Sequence, residues 1–202
     1  MKKEILQNIS RETEKVTGKV KGEAIVTLAK FIEKKEGKGM IKKVEKEMKE
    51  LGYDFSFKKI NTFQWIDMKI DVLSLLIARE IFNWSDSDII ERGKFHFTVS
   101  FLTKMFFFSF VSPKSIFQYV ASYWSKYYNE GEVERVEFNE KEKYMILRVR
   151  NFYGHPILCL RHQGYVLGLM ELVVGKDSNI KTEERACKCR GDDYHELFVM
   201  WS

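Results

Sequence analysis

Apolar and polar residues follow a helical period through the first half of the chain. Apolar side chains recur every three or four residues in the segments 22–37, 40–52 and 68–83, which predicts three amphipathic helices. Asp67 stands just before the third segment, where an aspartate side chain can cap the start of a helix. A weaker pattern of the same period, from residue 5 to residue 16, predicts a short N-terminal helical arm.

Helix-start signals divide the next part of the chain. The capping-box pattern at 85–88 predicts a short helix that ends at Gly93. Ser112 followed by Pro113 predicts the start of another helix, because proline is favoured at the first helical position. The segment 94–111 between them alternates like a strand at its beginning, but its length and the spacing of its apolar residues favour a helix.

After these helices the alternation changes to a period of two. The segments 133–138 and 144–150 predict a β-hairpin, and the segment 156–175 predicts a long helix. A second hairpin is predicted from 181–189 and 194–201. The fold class is therefore α+β, with a helical N-terminal half packed on a four-stranded antiparallel sheet built as hairpin, helix, hairpin.

The length of 202 residues suits a single domain spanning 1–202. Residues 1–130 form its mainly helical part with the N-terminal arm, and 131–202 form the sheet and its helix. The net charge is +5, but lysines and glutamates are interleaved, as on solvated helix faces, so no nucleic-acid partner is expected.

Three further features suggest where the protein resides. The first twenty residues are polar, unlike a signal peptide, and the longest apolar runs are shorter than the roughly 20 residues that span a bilayer. Three cysteines cannot all pair, which argues against a disulfide framework. A cytoplasmic protein without a membrane partner is expected.

Two of the three cysteines lie close together near the C-terminus. Cys187 and Cys189 share one face if both lie on a strand, and Cys189 faces His195 across the hairpin if the loop has five residues. Thiolates and a neutral imidazole suit zinc, and Cys159 is the natural remote ligand. The candidate metal site is thus Cys159, Cys187, Cys189 and His195, with Glu183 or Glu184 as substitutes. Buried core cysteines and a redox pair remain as alternatives.

Two motifs in this region resemble the vinyl-reductase-type (4-vinyl reductase) small-molecule-binding domain. The closing motif, Glu-x-x-Cys followed by glycine, a ligand residue and an aromatic strand, is occupied by Glu184, Cys187, Gly191, His195 and Phe198. The preceding motif, Cys-x4-Gly-Tyr-x-x-Gly, is occupied by Cys159, Gly164, Tyr165 and Gly168. The superfamily of this domain includes haem-based nitric-oxide sensors and TRAPP-type vesicle-tethering subunits.

The resemblance implies a zinc site on the cysteines with an acidic ligand, and a cavity between the helical half and the sheet for a small apolar molecule. Cys189 has no counterpart in the motif, and His195 replaces its final cysteine. Haem is not expected, because the Tyr-x-Ser-x-Arg motif that holds haem propionates in this superfamily meets Tyr123, Ser125 and then a tyrosine in place of arginine. His96, the candidate iron ligand, is assigned to the core.

The function expected from the sequence is a non-catalytic sensory domain that binds a small hydrophobic ligand and holds zinc. The candidate pocket residues are aromatic and apolar side chains of the second helical region: Phe101, Met105, Phe106, Phe110 and Trp124. A homodimer that signals through a separate output protein is expected. The alternatives are a homodimeric adaptor without a ligand and a haem-based gas sensor. No phosphate-binding glycine loop indicates an enzyme, and His155 and His162 are assigned to the solvated surface.

Overall fold

The computed structural model describes residues 1–100 and 111–202, and their architecture is the predicted α+β fold. The helical half consists of α1 (Lys3–Glu12), α2 (Glu23–Glu36), α3 (Ile41–Glu50), α4 (Met68–Phe82), α5 (Asp86–Val99) and α6 (Pro113–Tyr127). The C-terminal half consists of β3 (Glu132–Asn139), β4 (Tyr144–Arg150), α7 (Pro156–Val174), β5 (Ile180–Ala186) and β6 (His195–Trp201).

The predicted caps hold the helix starts. The side chain of Asp67 accepts a hydrogen bond from the backbone N–H of Lys69, which satisfies one of the free donors at the start of α4. Ser85 and Asp88 form a reciprocal capping box at the start of α5. Ser112 caps α6, with Pro113 at its first position.

The prediction that a short helix ends at Gly93 is wrong, because α5 continues to Val99. Gly93 lies inside α5, where the backbone of α7 crosses it. A Cβ atom on Gly93 would come within 2.3 Å of the Arg161 carbonyl oxygen, and one on Gly164 within 2.1 Å of the Ile90 carbonyl oxygen. Both glycines therefore allow a close helix crossing rather than a helix end.

Two short strands were not predicted. Strand β1 (Lys19–Lys21) pairs antiparallel with β2 (Trp65–Asp67), and Val20 at its centre lies opposite Ile66. Three residues are too few to show a period of two, so the sequence pattern gave no sign of them.

The C-terminal strands form one antiparallel sheet in the order β3-β4-β6-β5. One face of the sheet packs on α6 and α7 and buries Met145, Leu147 and Val199. A separate core fills the helical half, and its fully buried members include Ile25, Leu28, Val44, Met48, Leu73, Leu75 and Ile77. The site described below lies where these two cores meet.

Helix α7 is the central element of the C-terminal half. Within 1–100 and 111–202, it is the helix long and apolar enough to cross a membrane by length and composition, but 44% of its most apolar window is buried in the protein. It packs between α5 and the sheet, and that position accounts for its apolar composition.

The last hairpin differs from its predicted form. Strand β5 ends at Ala186, which lies opposite Glu196, and the pairing is irregular between Glu184 and Ala186. Cys187 therefore follows the strand, and Cys189 lies in a one-turn 3-10 helix at 188–190. The predicted pairing of Cys189 with His195 is wrong, because the chain leaves the sheet before it reaches either cysteine.

Candidate functional site

A cavity of about 120 Å³ lies between α6, α7 and the inner face of the sheet. Its walls are mostly apolar and aromatic, and include Phe97, Val120, Tyr123, Trp124, Leu147, Phe152, Tyr165 and Leu169. His162 of α7 also lines it, and so do Cys159, Glu184 and His195. An apolar enclosure with a few polar groups is the usual form of a small-ligand site.

Four side chains connect the cavity wall to the helical half. The guanidinium of Arg161 donates from Nη1 to Oδ2 of Asp71 at 2.7 Å, and both side chains are fully buried. Nη2 of Arg161 donates to the hydroxyl oxygen of Tyr128 at 3.2 Å. That hydroxyl lies 2.9 Å from Nε2 of His162. Nε of Arg161 and Oδ1 of Asp71 are sealed without a partner among the described residues.

His162 is therefore not a surface residue, and the sequence-based assignment to the solvated surface is wrong. Its ring is only partly exposed and lines the cavity, with the Tyr128 hydroxyl against Nε2. Burial, with the charges of Arg161, His195 and Arg92, lowers the pKa of His162 well below its ordinary value. The imidazole in the cavity wall is thus neutral at pH 7.

A second tyrosine–histidine pair lies deeper in the core. The Tyr127 hydroxyl is 3.1 Å from Nε2 of His96, and the Thr27 hydroxyl is 3.1 Å from Nδ1. Burial lowers the pKa of His96, and the charges of Arg92 and Arg161 add to the effect. His96 is a fully buried, hydrogen-bonded core residue, the position that was assigned to it from the sequence.

Four potential metal ligands gather at one end of the cavity. Cys159, Glu184, Cys187 and His195 each offer one ligand atom, and these atoms all lie within 4.8 Å of one another. The Cys159 sulphur is 3.5 Å from the Cys187 sulphur and 3.5 Å from Nδ1 of His195. Ligand atoms of a tetrahedral zinc ion stand about 3.3–3.8 Å apart, given Zn–N and Zn–S bonds of about 2.0–2.3 Å. The donor types and their spacing therefore fit a zinc-type ion.

The surroundings of the cluster orient its donors. Nε2 of His195 lies 3.2 Å from the Phe152 carbonyl oxygen, which can only accept, so Nε2 carries the proton. The lone pair of Nδ1 is then left facing the Cys159 sulphur. The backbone N–H of Cys187 donates to Asp192. The thiol of Cys159 hydrogen-bonds to Cys187 and lowers the pKa of Cys187 to about 6, so one thiolate is favoured at neutral pH.

The structure brings together Cys159, Cys187 and His195 from the predicted metal set. Glu184, proposed as a substitute, occupies the fourth place, and Cys189 is not one of the four. Of the predicted pocket residues, Trp124 lies in the cavity wall. The other four, Phe101, Met105, Phe106 and Phe110, lie outside the described residues. Tyr128 and His162 had no sequence signal, because residues 34 positions apart meet only in the tertiary structure.

Comparisons with known proteins identify the fold. No protein-family profile and no curated protein matches the chain. Among solved structures, an H-NOX protein from S. oneidensis in the Fe(II)NO state is 13% identical, covers 90% of this chain and 99% of its own, and has a TM-score of 0.68. An H-NOX domain from Shewanella oneidensis in the Fe(II)CO state is 12% identical, covers 90% of this chain and 98% of its own, and has a TM-score of 0.67. An unliganded Fe(II) H-NOX protein from K. algicida is 16% identical, covers 90% of this chain and 96% of its own, and has a TM-score of 0.59.

The chain therefore has the H-NOX fold. This finding overturns two sequence-based predictions, that the chain is a domain for a small hydrophobic molecule without haem and that no haem is expected. The rejection of haem relied on an incomplete Tyr-x-Ser-x-Arg motif and a lone histidine, whereas the similarity to these iron-containing proteins extends over nine-tenths of the chain. The haem alternative is better supported than the interpretation preferred from sequence.

Proposed function

We propose that the chain is a non-catalytic, haem-based gas sensor domain. The observation that carries the proposal is the match to H-NOX structures in Fe(II), Fe(II)NO and Fe(II)CO states, each over about 90% of the chain. The aromatic cavity between the helical half and the sheet supports it, since an apolar enclosure suits a flat, largely apolar prosthetic group. A bound ferrous haem would supply the iron that binds a diatomic gas.

His162 is the residue best placed to hold the iron. It lies in the cavity wall as a neutral imidazole, which is the form that ligates metals. Its Nε2 faces Tyr128, so that hydrogen bond must break on binding. The cavity encloses about 120 Å³, below the roughly 300–1,000 Å³ of ligand pockets. Haem binding therefore requires the cavity to widen.

A haem titration tests the proposal. Purified protein is mixed with ferrous haem, and the Soret band is followed with and without nitric oxide. We expect one haem per chain, a shifted band with nitric oxide, and loss of tight binding in His162→Ala. His155→Ala is the matched control, because the partly buried His155 caps the start of α7 and lies outside the cavity. Absence of stoichiometric binding by the wild-type chain would rule out the haem proposal.

We propose separately that Cys159, Glu184, Cys187 and His195 hold a zinc ion. The mutual distances of their ligand atoms support the site. The hydrogen bond from Nε2 of His195 to the Phe152 carbonyl oxygen supports it too, because it leaves Nδ1 free to bind the ion. These four residues occupy the ligand places of the vinyl-reductase-type motif that the sequence resembles. The proposal includes membership of this chain in that family. The expected ion has a structural role, because four protein ligands leave no open position.

Metal analysis of protein purified without a histidine tag tests this site. We expect about one zinc per chain in the wild type, and loss of zinc in Cys187→Ser and Glu184→Gln. Cys189→Ser is the control, because Cys189 is outside the four-residue cluster. Equal loss in Cys189→Ser and full retention in Glu184→Gln would restore the ligand set predicted from sequence.

We further propose that the domain is a cytoplasmic homodimer that passes its signal to a separate output protein. Tyr119 of α6 and Leu172 of α7 are large apolar side chains that remain 48% and 41% exposed, and they would contribute apolar area to such an interface. Light scattering across a dilution series tests the dimer. A monomer at every concentration would refute it.

A further inference from the structure

The hydroxyl of Tyr128 has two buried neighbours that determine its hydrogen bonds. Nη2 of Arg161 can only donate, so the Tyr128 oxygen accepts from it. Burial raises the pKa of Tyr128, and the hydroxyl therefore keeps its proton. Tyr128 is 3% exposed, and Nε2 of His162 is the acceptor within hydrogen-bond distance of it among the described residues. The tyrosine thus donates to the histidine, since the opposite arrangement would leave a buried O–H without a partner.

This bond fixes the tautomer of His162. A ring whose Nε2 accepts a hydrogen bond has no proton on that nitrogen, so it carries its single proton on Nδ1. Among residues 1–100 and 111–202, no side chain or carbonyl oxygen accepts a hydrogen bond from Nδ1 of His162. The ring nitrogen of His162 that is left for an occupant of the cavity is therefore Nδ1, an N–H donor without a free lone pair.

Asp71 of α4 holds the Arg161 side chain in the position from which it bonds to Tyr128. Its carboxylate holds Arg161 with both side chains fully buried, and Arg161 in turn orients Tyr128. The path leads from α4 through α7 to the C-terminal end of α6 and back to the cavity. A water molecule or a flexible surface side chain cannot replace these partners without opening the core.

We propose that Tyr128 is the positioning residue that decides what the cavity accepts, by holding His162 as a hydrogen-bond donor through Nδ1. An occupant that touches His162 then offers a hydrogen-bond acceptor, and a metal centre that needs the Nε2 lone pair must first displace Tyr128. The inference rests on the proposed sensor cavity and does not require haem, because the tautomer exists before any ligand binds.

Nitrogen NMR of the haem-free protein tests the inference. With ¹⁵N-labelled histidine at pH 7, we expect His162 to show a protonated Nδ1 and an unprotonated Nε2. Tyr128→Phe removes the donor, and a shift of His162 towards the Nε2-protonated tautomer is expected. Tyr127→Phe is the matched control, because it removes the equivalent hydroxyl beside His96 and leaves His162 unchanged. A wild-type His162 protonated on Nε2 would overturn the inference without any variant.

A haem titration of the same variants separates this inference from the proposed function. If His162 holds haem, Tyr128→Phe should bind it roughly two- to tenfold more tightly, since one hydrogen bond no longer has to break. Tyr127 also lines the cavity, but its hydroxyl faces His96 in the core, so Tyr127→Phe keeps the ring in the wall and should bind as the wild type does. Failure of all three proteins to bind haem would refute the haem proposal alone, while the NMR result would still decide the role of Tyr128.

Discussion

Arg161 of α7 and Asp71 of α4 form an ion pair, with 2.7 Å between Nη1 and Oδ2, and neither side chain is exposed. The pair joins the helical half to the helix that carries His162 and Cys159. A charge in this position depends on its partner, because the surroundings cannot solvate it. The first prediction concerns the loss of that partner.

Asp71→Ala leaves the Arg161 guanidinium buried without its counter-charge. We expect the free energy of unfolding to fall by roughly 3–5 kcal/mol, as when other buried pairs lose one partner. The double variant Asp71→Leu with Arg161→Met should recover most of that loss, because both charges are then absent. Urea unfolding monitored by circular dichroism measures it. A double variant as unstable as the single one would contradict this view of the pair.

Two glycines of α7, Gly164 and Gly168, lie at its crossing with α5. Gly164→Ala would place a Cβ within 2.1 Å of the Ile90 carbonyl oxygen, and Gly168→Ala within 3.0 Å of the Lys94 carbonyl oxygen. We expect Gly164→Ala to destabilise the fold by about 3 kcal/mol or more, and Gly168→Ala by about 1 kcal/mol. Thermal unfolding should rank the two variants in this order. Equal melting temperatures would show that the helices can separate without cost.

The buried histidines make the fold sensitive to acid. Burial lowers the folded-state pKa of His96 and His162, whereas an unfolded histidine titrates near 6.5. The unfolded chain therefore binds more protons below about pH 6.5, and stability is complete above that pH and lost as the pH falls. Each histidine should contribute a slope of up to about 1.4 kcal/mol per pH unit in the acid range.

The double variant His96→Gln with His162→Gln tests this pH dependence, because glutamine keeps hydrogen-bonding groups but does not titrate. Urea midpoints measured between pH 7.5 and pH 4.5 should show a shallower acid decline than the wild type. An unchanged decline would assign the acid sensitivity to other groups.

Metal removal should act through the C-terminal hairpin. Chelation with EDTA is expected to lower the melting temperature of the zinc-loaded wild type, because a metal that binds the folded chain contributes its binding free energy to stability. Cys187→Ser should melt at the same temperature with and without EDTA. A wild type that is insensitive to EDTA, despite measurable zinc, would show that the ion is bound elsewhere.

Local features of the sequence were enough to predict most elements. The caps at Asp67, Ser85 and Ser112 lie where predicted, because a cap needs only a side chain and a backbone N–H two or three residues away. The hairpin–helix–hairpin order after residue 131 was also correct, since its periods of two and 3.6 persist over seven or more residues.

The errors occurred where one element contacts another. From the sequence, Gly93 was predicted to end a helix. Its place inside α5 is explained by the crossing of α5 and α7, where Gly93 lies against Gly164. Cys189 reads as a strand residue, but an irregularity in β5 ends the strand at Ala186 and leaves Glu184 among the potential ligands. Bulges and helix crossings depend on packing against segments distant in sequence, so local residue types do not predict them.

The sequence by itself determined most of the helices, the four strands of the C-terminal sheet and the donor types near the C-terminus, because propensity, capping and periodicity act over a few residues. Only the tertiary structure decided that the chain has the H-NOX fold, that Tyr128 holds His162, and that Cys159 meets Cys187 and His195. The physical reason is that hydrogen bonds and metal coordination require distances of a few ångströms, and these are set by how the two cores pack together.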